Sequence, residues 1–294
     1  MGALGPKPRI GVIKMASCDG CQLTLLDLED ELLELTERFQ IVEFAEASSS
    51  RSTGPFDICL VEGSISTPEQ AEQIQELRRQ SKLLVTIGAC ATAGGIQALR
   101  NWQDHDEVRA AVYAHPEFIE SLATATPIRD HVAVDAELRG CPIDAGQLVE
   151  LLTALNIGRR PWLPDEAVCM ECKRRGTVCV MVSGRGACLG PLTQTGCTAL
   201  CPAYDRGCFA CFGPRENANA ASLTCWLVGG GAAPADVGRL FAGFTAYAEP
   251  FRSLVTELGA TPGATNGTGS AGIVGAPSIR SGARIAGCMR EPGD

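Results

Sequence analysis

The sequence predicts an α/β fold with a mostly parallel sheet, followed by a small loop-rich domain. Short apolar runs rich in Val and Ile alternate with helical stripes through the first half of the chain. From about Pro161 that periodicity disappears, and Cys and Gly become dense. Cysteines of the first half also recur just after the predicted strands, where an open parallel sheet binds ligands.

Taken in order, residues 9–15 (RIGVIKM) read as a buried strand. A helical stripe follows, with Leu25, Leu28, Leu32, Leu35 and Phe39 spaced by three and four. Further strands are predicted at 40–45, 57–61, 83–87 and 131–134, and helices begin near Pro68, near Asp106 and after Asp144. This alternation fits a flavodoxin-like sheet with helices on both faces, over residues 1–160. Residues 161–232 form the loop-rich domain, too small in core to stand without metal or disulfide staples. The remainder, 233–294, is predicted as a helix from Pro234 to Leu258, interrupted by Pro250, and a flexible or surface-draped tail rich in Gly, Ala, Ser and Thr.

Composition narrows the function. Forty-five per cent apolar and 20% charged residues describe an ordinary globular protein. A net charge of −9 argues against a nucleic-acid partner. The chain opens without an apolar leader segment or twin arginines, and no apolar run of about 20 residues could span a bilayer. A cytoplasmic setting is therefore expected, where fifteen cysteines point to metal rather than to disulfides.

The first cysteine group is Cys18-Asp19-Gly20-Cys21 after the first strand, Cys90 in GACA after the strand at 83–87, and Cys141 in GCP after the strand at 131–134. Four thiolates brought to the carboxyl edge of one sheet suit one 4Fe–4S cluster. Gly20, Gly88 and Gly140 would let backbone approach the sulfurs and donate N–H groups. The bland alternative is four unrelated buried thiols, each packing as a small hydrophobe.

The second half holds Cys169, Cys172, Cys179 and Cys188, then Cys197, Cys201, Cys208 and Cys211: eight cysteines within 43 residues. Eight is the number that two all-thiolate 4Fe–4S clusters require. Zinc ribbons are the sober alternative, because Cys-x-x-Cys pairs also bind tetrahedral zinc.

The motifs CDGCQ, VEGSI (61–65), GACATAGG (88–95) and GCP (140–142) resemble the small subunit of nickel–iron hydrogenases. The cluster subunit of respiratory NADH dehydrogenase is similar through the same ancestral domain. The resemblance covers residues 9–226 or so. It implies that Cys18, Cys21, Cys90 and Cys141 hold a proximal cluster beside the nickel–iron centre of a separate large subunit. Through CLGPLTQTGC (188–197) and CFACFG (208–213), it assigns Cys169, Cys172, Cys179 and Cys188 to a distal cluster. Cys197, Cys201, Cys208 and Cys211 go to a medial one, although adjacent clusters can exchange ligands between motifs. Membrane-associated members begin the distal set with histidine and have only three medial cysteines. Cys169 and Cys201 depart from that pattern and resemble the cytoplasmic branch, the delta subunits of NAD(P)-linked hydrogenases, also called sulfhydrogenases.

The resemblance therefore implies a hydrogen:NAD(P)+ oxidoreductase-type complex in which this chain relays electrons and carries no catalytic residue itself. The nickel–iron centre is expected on the large subunit, and FAD and NAD(P) on iron–sulfur and flavin diaphorase subunits. The competing readings are a cluster subunit of a quinone-linked NADH dehydrogenase and a zinc-stabilised binding protein. The former usually carries adjacent cysteines in its cluster site, which are absent here, and has no two-cluster lobe.

Cys59 and Cys225 read as packed structural thiols and Cys288 as a tail thiol that the sequence leaves open. His105, His115 and His131 stand beside no cysteine pair and are not read as ligands. Ser17 stands where many hydrogenase small subunits carry glutamate, which puts any proton route through that position in doubt. Glu62 is read either as an interface residue or as a structural hydrogen-bonding group. Lys173-Arg174-Arg175 is most simply a solvated face, with docking of the next electron carrier as the sharper alternative. No Gly-x-Gly-x-x-Gly follows the first strand, so nothing points to a dinucleotide site in this chain.

Overall fold

The computed structural model describes residues 6–260 and divides the chain into two compact units, Met1–Leu163 and Pro164–Asp294. In the first unit five parallel strands run in the order β2-β1-β3-β4-β5. They are β1 (Arg9–Lys14), β2 (Gln40–Phe44), β3 (Phe56–Glu62), β4 (Ser81–Ile87) and β5 (Ala136–Leu138). The helices of this unit are α1 (Gly20–Leu26), α2 (Asp30–Arg38), α3 (Pro68–Gln80), α4 (Gly88–Ala93), α5 (His105–Val112) and α6 (Ala145–Asn156).

Strand residues alternate between two cores, as a pleated strand requires. Ile10, Val12, Ile58, Leu60, Val85 and Ile87 pack with Leu25, Leu35, Leu148 and Leu151 on one face. Ile13, Cys59, Val61 and Leu84 pack with Ile74 and Leu77 of α3 on the other. Both faces are covered, which is why these strands read as nearly continuous apolar runs. Gly11 belongs to the second face, where a Cβ would stand 2.7 Å from the Phe56 ring.

Helix starts follow local chemistry. Thr67 caps α3 in a reciprocal box with Gln70, and Pro68 fills the first turn. Asp104 and Asp144 cap α5 and α6.

Three predicted elements differ. The leucine stripe from Leu25 to Phe39 is two helices, because Glu29 takes φ 50 and breaks the backbone. Leu25, Leu28, Leu35 and Phe39 remain buried in one core, so the stripe outlasts the break. The fifth strand is not 131–134 but Ala136–Leu138. His131 and Val132 donate back to Ile128 O, while Gln75 and Arg78 of α3 donate to the carbonyls of His131 and Ala133. Val132 and Val134 therefore lie against the core without joining the sheet.

In the second unit the described helices are α7 (Val168–Arg175), α8 (Leu200–Ala203), α9 (Ala220–Gly229), α10 (Pro234–Phe241) and α11 (Phe251–Glu257). The predicted helix 234–258 is thus two, parted at Ala242, and the Phe241 and Phe251 rings meet at 5.3 Å. Between them the Thr245 hydroxyl donates to Ala210 O at 2.7 Å. The predicted tail beyond Ala260, with Cys288, lies outside the described residues.

Asp57 supplies a checkable pH dependence. It accepts Arg9 N–H at 2.8 Å and Lys82 Nζ at 2.5 Å, which holds its carboxyl below the usual range. A depressed carboxylate stabilises the fold above its unfolded pKa of 3.8 and loses that contribution as pH falls through the folded value. Asp57→Asn should cost about 1 kcal/mol in urea unfolding at pH 7, with the difference shrinking toward zero in strong acid.

Candidate cluster sites

The loops after β1, β4 and β5 bring the first cysteine group together. Cys21 opens α1, Cys90 lies in α4, and Cys141 follows β5. Their mutual electrostatics mark the convergence: Cys21 senses Cys90 and Cys141, Cys90 senses Cys141 and Cys18, and Cys141 senses Cys18. The backbone closes around them through Ala89 N–H on Gly140 O at 2.6 Å.

Two glycines make the space. At Gly88, with φ +85, a Cβ would stand 2.3 Å from Cys21 Sγ; at Gly95, with φ +64, it would stand 2.6 Å from Cys90 Sγ. Only glycine meets both demands. Glu62, 2% exposed at the end of β3, accepts Cys21 N–H at 3.3 Å and Gln22 N–H at 3.2 Å. Burial raises its carboxyl above the usual range against those two bonds. Glu62 thus clamps the start of α1. Ser17 donates to Asp19, which sits at φ 67 and is ion-paired to Lys14 at 2.5 Å. Nothing in the sequence marks Gln97 as part of this site. Its Oε1 accepts from Cys90 Sγ at 3.4 Å, and its Nε2 donates to Ala16 O at 2.8 Å.

In the second unit Cys169 and Cys172 share one face of α7, three residues apart. Cys169 senses Cys188, Cys172 and Cys179, and Cys172 senses Cys188, Cys179 and also Cys197, so these four are neighbours and adjoin the second set. Gly190 lies among them, its absent Cβ 3.2 Å from Cys188 Sγ and 3.7 Å from Cys169 Sγ. Cys188 Sγ accepts N–H groups of Gly190 at 3.3 Å and Cys208 at 3.1 Å. Cys197 neighbours Cys201, and Cys208 neighbours Cys211, while Cys188 lies near both Cys201 and Cys208.

Burial is the first cause raising the thiols of Cys21, Cys90, Cys141, Cys169, Cys172, Cys188, Cys197 and Cys208. Cys90 and Cys169 are pushed up to about 11, and Cys21 and Cys208 well above their ordinary range. Crowded, buried thiolates repel one another, so a set of four needs a cationic centre to be deprotonated together. The donor chemistry and the glycine cradles thus fit iron–sulfur ligation. Among the described residues no three His, Cys, Asp or Glu side chains converge as a single ion requires. A four-iron cluster takes its thiolates on separate irons and does not impose that demand.

The remaining candidates resolve differently. Cys59 is fully buried in β3, and burial lifts its thiol to about 12, as suits an inert packed side chain. Cys225 is disulfide-bonded, which corrects the reading of it as a packed free thiol. His105, His115 and His131 bond to Ser121, Glu117 and Thr126. Of the basic run, Arg174 pairs with Glu166 at 2.6 Å and Arg175 donates to Thr198 O at 2.9 Å. Two of its three charges therefore act within the chain.

A parallel sheet with thiols gathered at its carboxyl edge is what the resemblance to hydrogenase small subunits implies, and comparison with known proteins supports that class. Residues 18–155 match the family described as NADH ubiquinone oxidoreductase, 20 Kd subunit. The delta subunit of sulfhydrogenase 2 from Pyrococcus furiosus is 37% identical over 211 residues, covering 72% of this chain and 88% of the relative. A subunit of the F420-non-reducing hydrogenase of Methanocaldococcus jannaschii is 32% identical over 73% of this chain and 86% of its own. A chain of a crystal structure of an NAD+-reducing [NiFe]-hydrogenase in the H2-reduced state superposes with TM-score 0.51 at 31% identity. That match covers 54% of this chain and 96% of the other. The chain belongs to the family of small subunits of nickel–iron hydrogenase complexes, alongside the sulfhydrogenase delta subunits. It is an electron-transfer subunit of such a complex, with further subunits as partners. No described helix is long and apolar enough to cross a membrane.

Proposed function

We propose that this chain relays electrons through three 4Fe–4S clusters between a nickel–iron large subunit and a diaphorase module that reduces NAD(P) in the cytoplasm. Cys18, Cys21, Cys90 and Cys141 would hold the proximal cluster, within residues 1–160. Cys197, Cys201, Cys208 and Cys211 would hold the medial cluster, and Cys169, Cys172, Cys179 and Cys188 the distal one, within the iron–sulfur domain at 161–232. Residues 233–294 would add helix and tail. The observation that carries the reading is that Cys18, Cys21, Cys90 and Cys141, from three sheet-edge loops, lie near enough to act on one another's charge, with Gly88 leaving the space beside Cys21 Sγ.

A bound four-iron cluster supplies reversible one-electron storage. The chain's part is to fix the thiolates, bury them and aim N–H groups at sulfur. Such bonds favour the more negative, reduced state. The Gly190 and Cys208 N–H groups on Cys188 Sγ, and the Ile143 N–H facing Cys21 Sγ, do this here.

Support for the NAD(P)-linked acceptor comes from the likeness to the chain of the NAD+-reducing [NiFe]-hydrogenase. The complex, supplied with hydrogen, should reduce NAD(P) and an artificial dye. Dye reduction without NAD(P) reduction, in the presence of all co-purifying subunits, would reject the diaphorase partner while leaving the relay in place.

A further inference from the structure

Glu171 stands on α7 between Cys169 and Cys172 and reaches to a different cysteine. Its Oε1 accepts Gly196 N–H at 3.2 Å and its Oε2 accepts Ala199 N–H at 2.9 Å, so the carboxylate brackets Cys197. From the same helix Arg175 donates to Thr198 O at 2.9 Å. The bracketed turn is one that the sequence would not adopt by preference. Thr198 and Ala199 both have φ 54, in the left-handed region that side chains other than glycine rarely enter. Strain of this kind persists only where surrounding groups hold it, and here α7 supplies the hold.

The bracket also governs the sulfur's surroundings. The Leu200 N–H donates to the Cys197 carbonyl at 3.3 Å, which closes the turn that carries the sulfur. The Ala199 N–H, two residues beyond the sulfur-bearing Cys197, is committed to Glu171 Oε2 at 2.9 Å. A carboxylate that draws this donor away, and adds its own charge nearby, makes a more negative cluster harder to form.

We propose that Glu171 is a positioning residue that fixes the Cys197 turn from the helix carrying Cys169 and Cys172, and thereby lowers the reduction potential of the cluster Cys197 binds. This rests on the cluster reading above. The plainer alternative is a carboxylate that merely braces a loop. Bracing alone predicts a change in stability, not a selective change in one potential.

The test is a redox titration of the anaerobically purified complex, followed by electron paramagnetic resonance, for wild type, Glu171→Gln and Glu166→Gln. Glutamine keeps the size but offers one acceptor oxygen and no charge. Glu166, whose partner is Arg174, controls for lost charge near the same helix. The expected result is wild-type sulfide content in E171Q, one midpoint shifted upward, and the remaining midpoints and all of E166Q unchanged. Loss of one cluster's sulfide from an otherwise folded E171Q fits bracing as well, so the decision then falls to the midpoints in the Ala199→Gly background. Unchanged midpoints in E171Q at full sulfide content would overturn the positioning role. If E171Q alone does not assemble, Ala199→Gly in both backgrounds relieves the left-handed strain and restores assembly. The upward shift should persist there, and its absence would again overturn the proposal. A wild-type complex without sulfide on this chain would instead remove the cluster reading itself.

Discussion

Replacing Cys90 with alanine should remove one four-iron centre, so that acid-labile sulfide per chain falls from about twelve to about eight. Hydrogen-dependent reduction of NAD(P) should fall to background with it, because the sheet-edge cluster is the proposed entry point for electrons. Cys90 is suited to the experiment because it is half-buried and outside the main apolar clusters, so the fold should tolerate the change. Cys59→Ala is the matching control. Its thiol is fully buried and packs among Ile74, Leu77 and Leu84, so its loss should cost about 1–2 kcal/mol in unfolding. Sulfide content and activity should stay at wild-type levels. Equal loss of sulfide in both variants would mean that fold integrity, not ligation, explains the result.

Gly88→Ala should have the second large effect, without touching a ligand. The added Cβ would stand 2.3 Å from Cys21 Sγ, in a backbone conformation with φ +85. The conformation alone costs about 1–3 kcal/mol for a residue with a side chain. The collision additionally displaces the thiol, so the variant should lose both stability and the sheet-edge cluster. Gly158→Ala separates the two contributions. Gly158 has φ +71 with nothing within 4 Å of its would-be Cβ, so that variant should show the backbone cost alone and retain all its sulfide. A Gly88→Ala protein with full sulfide content would show that this cradle is not where a cluster sits.

The strands at 9–15, 57–61 and 83–87 are legible because burial on both faces writes nearly unbroken apolar runs into the sequence, and the half-exposed edge strand at 40–45 is legible through Ile41, Val42 and Phe44. The fifth strand is not, because Val132 and Val134 are apolar for a different reason: they cover the core, while three-residue β5 carries little pattern of its own. The break at Glu29 leaves no trace, since the leucine stripe runs through it. The cysteines themselves are readable from count and spacing. The groups that orient them are harder to see. The sequence leaves Glu62 between two roles, and Gln97 and Glu171 each act through a pair of contacts that no periodicity marks. Glu171 in particular looks like an ordinary helix-surface residue until its oxygens are found on the backbone of another loop.

The number of clusters this chain holds decides whether it is a relay of three centres. Sulfide measures that number more cleanly than iron, because a nickel–iron centre adds iron but no sulfide. Anaerobic purification of this chain with its large subunit, freed of other iron–sulfur subunits, should yield about twelve acid-labile sulfides per chain. About four would confine clusters to the sheet edge, and zinc with no sulfide would contradict the relay altogether.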